Sequence, residues 1–173
     1  MSIPKGFQLL DSLMASAEKD GSGLRKLNWV MARAIPFNSP HRIKVKSVSD
    51  EKVVTSLPYK KRNLNHLKSL HAAALMTVGE YCSGLWIMKR MGTKYRVIMK
   101  TISIEYHKQG RTDAMATYEL PDSEFKEQIE KPLLKDGVVF HTCDVKITNA
   151  DGDLLADAAV EWQIKDWAKV KTK

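Results

Sequence analysis

The sequence predicts an α+β fold: a curved, antiparallel six-stranded sheet wrapped around one long central helix, with extra helices at the N-terminus. Three observations predict it. From Ala72 to Met88 the chain is almost continuously apolar, so a helix there must be covered on most sides. The strand-type segments come in adjacent pairs joined by short turns, which favours antiparallel neighbours. Two amphipathic helical stretches precede them all.

Each element has its own signal. "FQLLDSLMASA" sets Phe7, Leu10, Leu13, Met14 and Ala17 on one helical face. "DGSG" at 20–23 breaks the pattern. "LRKLNWVMARAI" resumes it through Leu24, Leu27, Val30, Met31, Ala34 and Ile35, and Pro36 ends it. This pair could lie on a membrane; packing against the rest of the domain is the better expectation. Strands are expected at 42–48 and 52–57, then the apolar helix at about 71–90, stopped near Gly92. "YRVIMKTISIEYH" (95–107) reads as a strand, "KQGR" as a turn and "TDAMATYEL" (112–120) as the returning strand. Asp122 can cap a short helix over 123–131, interrupted by Pro132.

The last two strands are expected at 137–148 and 153–164. In the latter, Leu154, Ala156, Ala158, Val160, Trp162 and Ile164 share one face and Asp157, Glu161 and Lys165 the other. No internal repeat or low-complexity segment is present. The expected organisation is a single domain over 1–173, with a helical extension at 1–36 and a core at 40–165.

Composition narrows the class. A 173-residue chain with 43% hydrophobic residues can bury a real core. Its net charge of +8 favours anionic partners without choosing among them. Cys82 and Cys143 lie far apart with no zinc spacing, and read as reduced, buried thiols of a cytoplasmic protein. The N-terminus lacks the pattern of a signal peptide. Residues 72–88 approach the minimum length for a membrane span, but Glu80 near their midpoint argues against one. No metal or redox cofactor is implied.

Glu80 is the most informative residue. A carboxylate in an apolar helix is expensive unless something compensates it. Ser69 is the expected N-cap, leaving amides near His71 and Ala72 without intrahelical partners. Such amides, at the positive end of the helix dipole, can stabilise a developing oxyanion. Eight residues separate Ala72 from Glu80, about 12 Å along a helix. One helix therefore cannot bring both groups to one carbonyl. Two antiparallel helices can, and a twofold dimer supplies them with two equal sites. Gly79 and Gly84 leave room there for a ligand or a close helix approach.

These residues resemble the hot-dog-fold acyl-CoA thioesterases, in the phenylacetate-degradation-type group and its uncharacterised relatives. The family pattern is Asn, five residues, His-Gly-Gly, then an acidic residue eight positions after the first Gly. Asn65 and His71 match, Ala72-Ala73 replaces Gly-Gly, and Glu80 takes the acidic place. The resemblance covers about residues 40–165. It implies that the Ala72 amide polarises a thioester carbonyl and that Glu80 of the other subunit acts as general base or nucleophile. It implies that Asn65 orients the nucleophile or its water, and that His71 supports the helix start. The partners implied are an acyl-CoA or other acyl thioester and a second copy of the chain, possibly in a tetramer. Lys68 stands where the family often has Gly.

Rival readings remain at this stage. One is a non-catalytic protein that binds an acyl ligand. Another is a hot-dog dehydratase, because His66 and Glu80 have its 14-residue spacing although its Pro-Gly elements are missing. Basic stretches, "PYKKR" (58–62), Lys89-Arg90, Lys94, Arg96 and Lys100, could serve the phosphates of CoA. Nucleic acid is not expected, since Tyr59, Tyr95 and Tyr106 are too scattered for a stacking surface. His41, His107 and His141 lack metal spacing, and Ser83 lacks a histidine partner for serine hydrolysis.

Overall fold

Apolar length dictates the centre of the fold. The computed structural model describes residues 5–169, the side chains of 5–9 and 93 excepted, so the expected place of Phe7 lies outside it. Helix α3 (Ala72–Met91) carries buried residues on nearly every side, from Ala74 and Leu75 to Trp86 and Ile87. It packs against a six-stranded antiparallel sheet in the order β1-β2-β4-β5-β6-β3. The strands are β1 (Lys44–Val48), β2 (Lys52–Leu57), β3 (Tyr95–Tyr106), β4 (Ala114–Glu119), β5 (Val138–Thr148) and β6 (Leu154–Asp166).

Two glycines let α3 approach the sheet. A Cβ on Gly79 would lie 3.1 Å from Ala158 Cβ, and one on Gly84 would lie 3.1 Å from the Trp162 ring. Both small residues therefore serve helix-on-sheet contact. Trp162 also donates its indole N–H to Ser83 Oγ at 3.1 Å, and Ser83 Oγ donates to the Glu80 carbonyl at 3.0 Å. Ser83 is thus bonded into the core. Cys82 and Cys143 are both buried and unbridged, and burial pushes the Cys82 thiol up to about 12.

The N-terminal helices α1 (Lys5–Lys19) and α2 (Gly21–Ala34) pack on each other and on β1. Met14, Ala17, Leu27 and Met31 are buried in the same cluster as the sheet. Asp20 caps α2, accepting from the Ser22 and Gly23 amides at 2.7 and 2.8 Å. Asn28 reaches across to the edge of the sheet. Its amide oxygen accepts from Val45 N–H at 2.8 Å and its Nδ2 donates to Val45 O at 2.9 Å. An otherwise open edge strand is thereby covered.

The structure corrects five expectations. Strand β4 does not return alongside β3: β3 pairs β6 and β4 lies between β2 and β5, and the link between them is held to the loop before α3, Gly110 O accepting from Leu70 N–H at 2.8 Å. His71, not Ser69, is the N-cap of α3: its Nδ1 accepts from Ala73 N–H at 3.0 Å. Pro121, not Asp122, precedes the helix after β4; Asp122 opens it and binds Arg90 at 2.8 Å. Pro132 does not interrupt that helix. Helix α4 (Asp122–Phe125) widens into a π turn at Lys126–Glu130 and continues as α5 (Lys131–Asp136). The Lys131 N–H bonds Lys126 O, so the wide turn absorbs a proline that a regular ladder would reject. Leu154 is exposed and Leu155 fully buried, because the β5–β6 register shifts at Ile147/Thr148. That bulge reverses the alternation at the strand's first residue.

Asn28→Ala should lower the unfolding free energy by about 1–3 kcal/mol, because it strips both bonds from Val45. Urea denaturation checks this, and the account expects a lower midpoint at an unchanged m-value.

Candidate active site

The start of α3 and the loop before it form one hydrogen-bonded unit. The Asn65 side-chain oxygen accepts from Leu67 N–H at 2.9 Å and from Ser69 N–H and Ser69 Oγ at 3.2 Å. Its backbone N–H donates to Ser69 O at 2.9 Å. Asn65 thus organises the turn, and its Nδ2 has no partner among the described residues. Lys68 has φ +55°, the left-handed backbone in which glycine is most at ease. The lysine found where glycine is common thus adopts the glycine-type conformation. His66 lies exposed in this turn, and no hydrogen bond among the described residues holds it.

The amides beyond the turn are nearly all used. His71 N–H donates to Asn63 O at 2.8 Å, Ala73 N–H to the His71 ring, and Ala74 N–H to His71 O at 2.9 Å. The Ala72 N–H, on an exposed residue, donates to nothing among the described residues. It is a free donor at the positive end of a 20-residue helix. The Ala72 carbonyl accepts from Tyr106 Oη at 3.0 Å, which ties the helix start to the end of β3.

Glu80 lies two turns further along α3 and does not meet this group within the chain. It is half-buried, and no ion pair or hydrogen bond holds its carboxylate among the described residues. It lines a cleft of about 390 Å³ with Ile35, Phe37, Asn38, Met76, Thr77, Met99 and Ile102. Burial against these mostly apolar walls raises its pKa above the ordinary 4.5. A carboxylate raised toward neutrality and open to a cleft is suited to taking a proton from water. The Ala72 N–H and the unpaired Asn65 Nδ2 are suited to receiving negative charge on oxygen.

Sequence reasoning singled out Glu80, Asn65, His71 and Ala72, and the structure gathers the last three. It missed Phe37 and Asn38, which reach the Glu80 cleft from the turn after α2. It also missed Asn63, a fully buried amide that bonds His41 and Pro58 while its carbonyl holds His71 N–H. Of these three, only Asn63 beside the basic run stood near a visible signal. The histidines are satisfied locally: His41 on Asn63 at 3.0 Å, His107 on Asp157 and His141 on Tyr118, each at 2.8 Å. No group of three metal-ligating side chains occurs among the described residues. Nor is any helix there long and apolar enough to cross a membrane.

A six-stranded antiparallel sheet in this order, wrapped on a central helix, is the hot-dog fold, shared with proteins named as thioesterases. The chain belongs to the family described as a domain of unknown function, DUF4442, whose model matches residues 23–164. Among solved structures it is similar to a Pseudomonas aeruginosa protein of unknown function named a probable thioesterase. The two share 18% identity at a TM-score of 0.75, over 82% of this chain and 95% of that one. A Haemophilus influenzae thioesterase gives 12% identity and 0.67, over 86% and 94%. A Staphylococcus aureus thioesterase gives 18% and 0.62, over 75% and 98%. At these identities the likeness is one of fold. No curated protein matches the sequence.

Because the folded pKa of Glu80 is raised, ionising it costs the folded chain more than the unfolded one. The stability tied to its protonated form is complete below the unfolded pKa and lost as pH rises through the folded one. Glu80→Gln should therefore melt higher than wild type at pH 7–8, with the gap closing toward pH 4. Paired thermal melts across that range check the sign.

Proposed function

We propose that the chain is an acyl-CoA thioesterase that works as a homodimer. Glu80 of one copy serves as general base, opposite the Ala72 N–H of the other. The observation that carries this is a half-buried carboxylate with no counter-charge among the described residues, facing a cleft, on a helix whose free N-terminal amide lies too far away in the same copy.

The free edge of the sheet supports the pairing. Strand β3 runs for 12 residues and bonds only β6, and it exposes Ile98, Met99 and Tyr106. A long open edge is a template for a second strand, whereas β1 at the opposite edge is short and covered by Asn28. Antiparallel self-pairing centred near Ile102 would set Tyr106 of one copy beside Ile98 of the other. Tyr106 carries the Ala72 helix start, and Met99 and Ile102 wall Glu80. The pairing therefore brings the donor of one copy toward the base of the other.

The chemistry then follows. Glu80 takes a proton from water as the oxygen attacks the thioester carbon. The carbonyl oxygen becomes an oxyanion held by the Ala72 N–H, with Asn65 Nδ2 as a second donor. Collapse breaks the C–S bond, and the thiolate leaves with the proton returned from Glu80. His71 caps the helix and keeps the amide in place. Ala72 supplies this donor as well as glycine would, since its backbone is helical. The Staphylococcus aureus protein has been solved as a glutamine-to-alanine and as a glutamate-to-alanine variant. Those two positions stand fifteen residues apart, as Asn65 and Glu80 do here, amide before carboxylate.

Thiol release from a panel of acyl-CoAs tests the assignment. Glu80→Ala should lower kcat about 10²–10⁴-fold, the usual worth of a general base. The wild-type rate should fall on the acid side with an apparent pKa above that of a free carboxylate. Equal rates in both proteins would remove Glu80 from the chemistry and leave an acyl-ligand binder. Enoyl-thioester hydration in the same preparations would instead identify a hydratase.

A further inference from the structure

Three of the cations that the sequence offers as anion-binding candidates are spent inside the fold. Lys89 pairs with Glu18 at 2.7 Å and with Asp50 at 2.9 Å, fastening α1 to α3. Arg90 pairs with Asp122 and lies over the Phe125 ring at 3.8 Å. Arg96 donates to Gln163 on the neighbouring strand. Four others are different. Arg42, Lys60, Lys61 and Arg62 line one groove of about 470 Å³, all four are exposed, and none forms an ion pair among the described residues.

The backbone beneath this groove is fixed. Asn63, 1% exposed, donates to His41 O at 3.0 Å and Pro58 O at 2.9 Å, and its Oδ1 meets His41 Nδ1 at 3.0 Å. Arg62 Nη1 donates to Pro40 O at 3.1 Å. Arg42 itself sits at φ +55°, a left-handed conformation unfavourable for a non-glycine residue. Four like charges are thus gathered on a stiff double loop, although they repel one another. Such repulsion is relieved by a ligand with several negative charges, and a guanidinium pair with two ammonium groups suits phosphates.

The groove is tied through the chain to residues of the candidate site. The segment that carries Arg42 begins with Ile35, Phe37 and Asn38, which wall the Glu80 cleft. Asn63, its keystone, holds the N-cap of α3 through His71 N–H. We infer that this groove is a polyphosphate site that grips the nucleotide end of coenzyme A while the acyl end lies by Glu80. The inference rests on the thioesterase reading for its ligand. It adds that the enzyme takes thioesters of a soluble, phosphorylated nucleotide in preference to the same acyl group on a carrier protein. Among the described residues no aromatic side chain lines the groove, which disfavours single-stranded nucleic acid as its occupant.

Binding of free coenzyme A, which contains no thioester, tests the groove apart from hydrolysis. Calorimetry on the wild-type protein should rank coenzyme A above 3′-dephospho-coenzyme A and both well above pantetheine. The affinity should fall steeply with salt. The doubly substituted Arg42→Ala, Lys61→Ala protein should bind coenzyme A at least tenfold more weakly, with a shallower salt slope and an unchanged melting temperature. Lys61→Glu should be weaker still, and Lys61→Arg should retain binding. In turnover, the double variant should raise KM for acyl-CoA far more than it lowers kcat. Equal affinity for coenzyme A and pantetheine, or undiminished binding by the double variant, would overturn the inference. So would tighter binding of a random 12-mer oligonucleotide, or a lower KM for the acylated carrier protein. Groove-dependent coenzyme A binding without any thiol release would retain the site and discard the hydrolase. Thiol release that is indifferent to the groove would do the reverse.

Discussion

Glu80 holds an unneutralised carboxylate against mostly apolar walls, on a helix that the rest of the chain exists to cover. Every neighbouring feature is arranged around that helix. Its apolar faces demand a sheet that curves about them, and Gly79 and Gly84 let the helix sit on Ala158 and Trp162. The one face that the sheet does not cover opens on the cleft, and Glu80 faces it. A chain selected only for stability could discard that charge with one substitution. Its presence, raised in pKa and paired with no cation among the described residues, is the cost that the functional reading explains.

The two edges of the sheet are treated in opposite ways. At β1 the strand is short and bulged, and the amide of Asn28 occupies both polar groups of Val45. The N-terminal helices thus close one edge. At β3 the strand is long, pairs on one side only and presents apolar residues outward. Open edges invite association, and proteins normally blunt them. An asymmetry of this kind would steer a second copy to β3 and away from β1. In the proposed dimer that steering is also what completes the site.

Much of this was legible in the residues. The long apolar run and the helix-strand order follow from periodicity, but strand partners do not: β3 and β4 follow one another through a short turn and still lie apart in the sheet. Glu80 stood out by its place in the apolar run and Ala72 by the helix start, whereas Asn65 was indicated by the family resemblance. What escaped was decided by contacts between distant segments. Ser69 is the commoner capping residue type, yet the left-handed turn at Lys68 and the bonds to Asn65 turn it inward, leaving His71 to cap. Leu155 displaces Leu154 because a bulge reverses the face, and no local pattern announces a bulge. Pro132 reads as a stop only while the preceding turn is taken to be regular. The charge of "PYKKR" was visible, but not that Lys89 and Arg90 were already committed to Asp50, Glu18 and Asp122. Phe37 and Asn38 carry no sequence signature and Asn63 only its place beside the basic run, since their roles exist only once two loops meet.

The central claim is that one working site needs the carboxylate of one copy and the helix amide of another. Mixing two inactive proteins tests it most directly. Glu80→Gln removes the base. Ala72→Pro removes the amide at the first helical position, where proline is tolerated, and the extended backbone of His71 (ψ 137°) accommodates it. Random re-association of equal amounts should restore about one quarter of wild-type thiol release, because half the dimers then hold one intact composite site. No recovery in a mixture shown to exchange subunits would place both groups in a single copy and contradict the account.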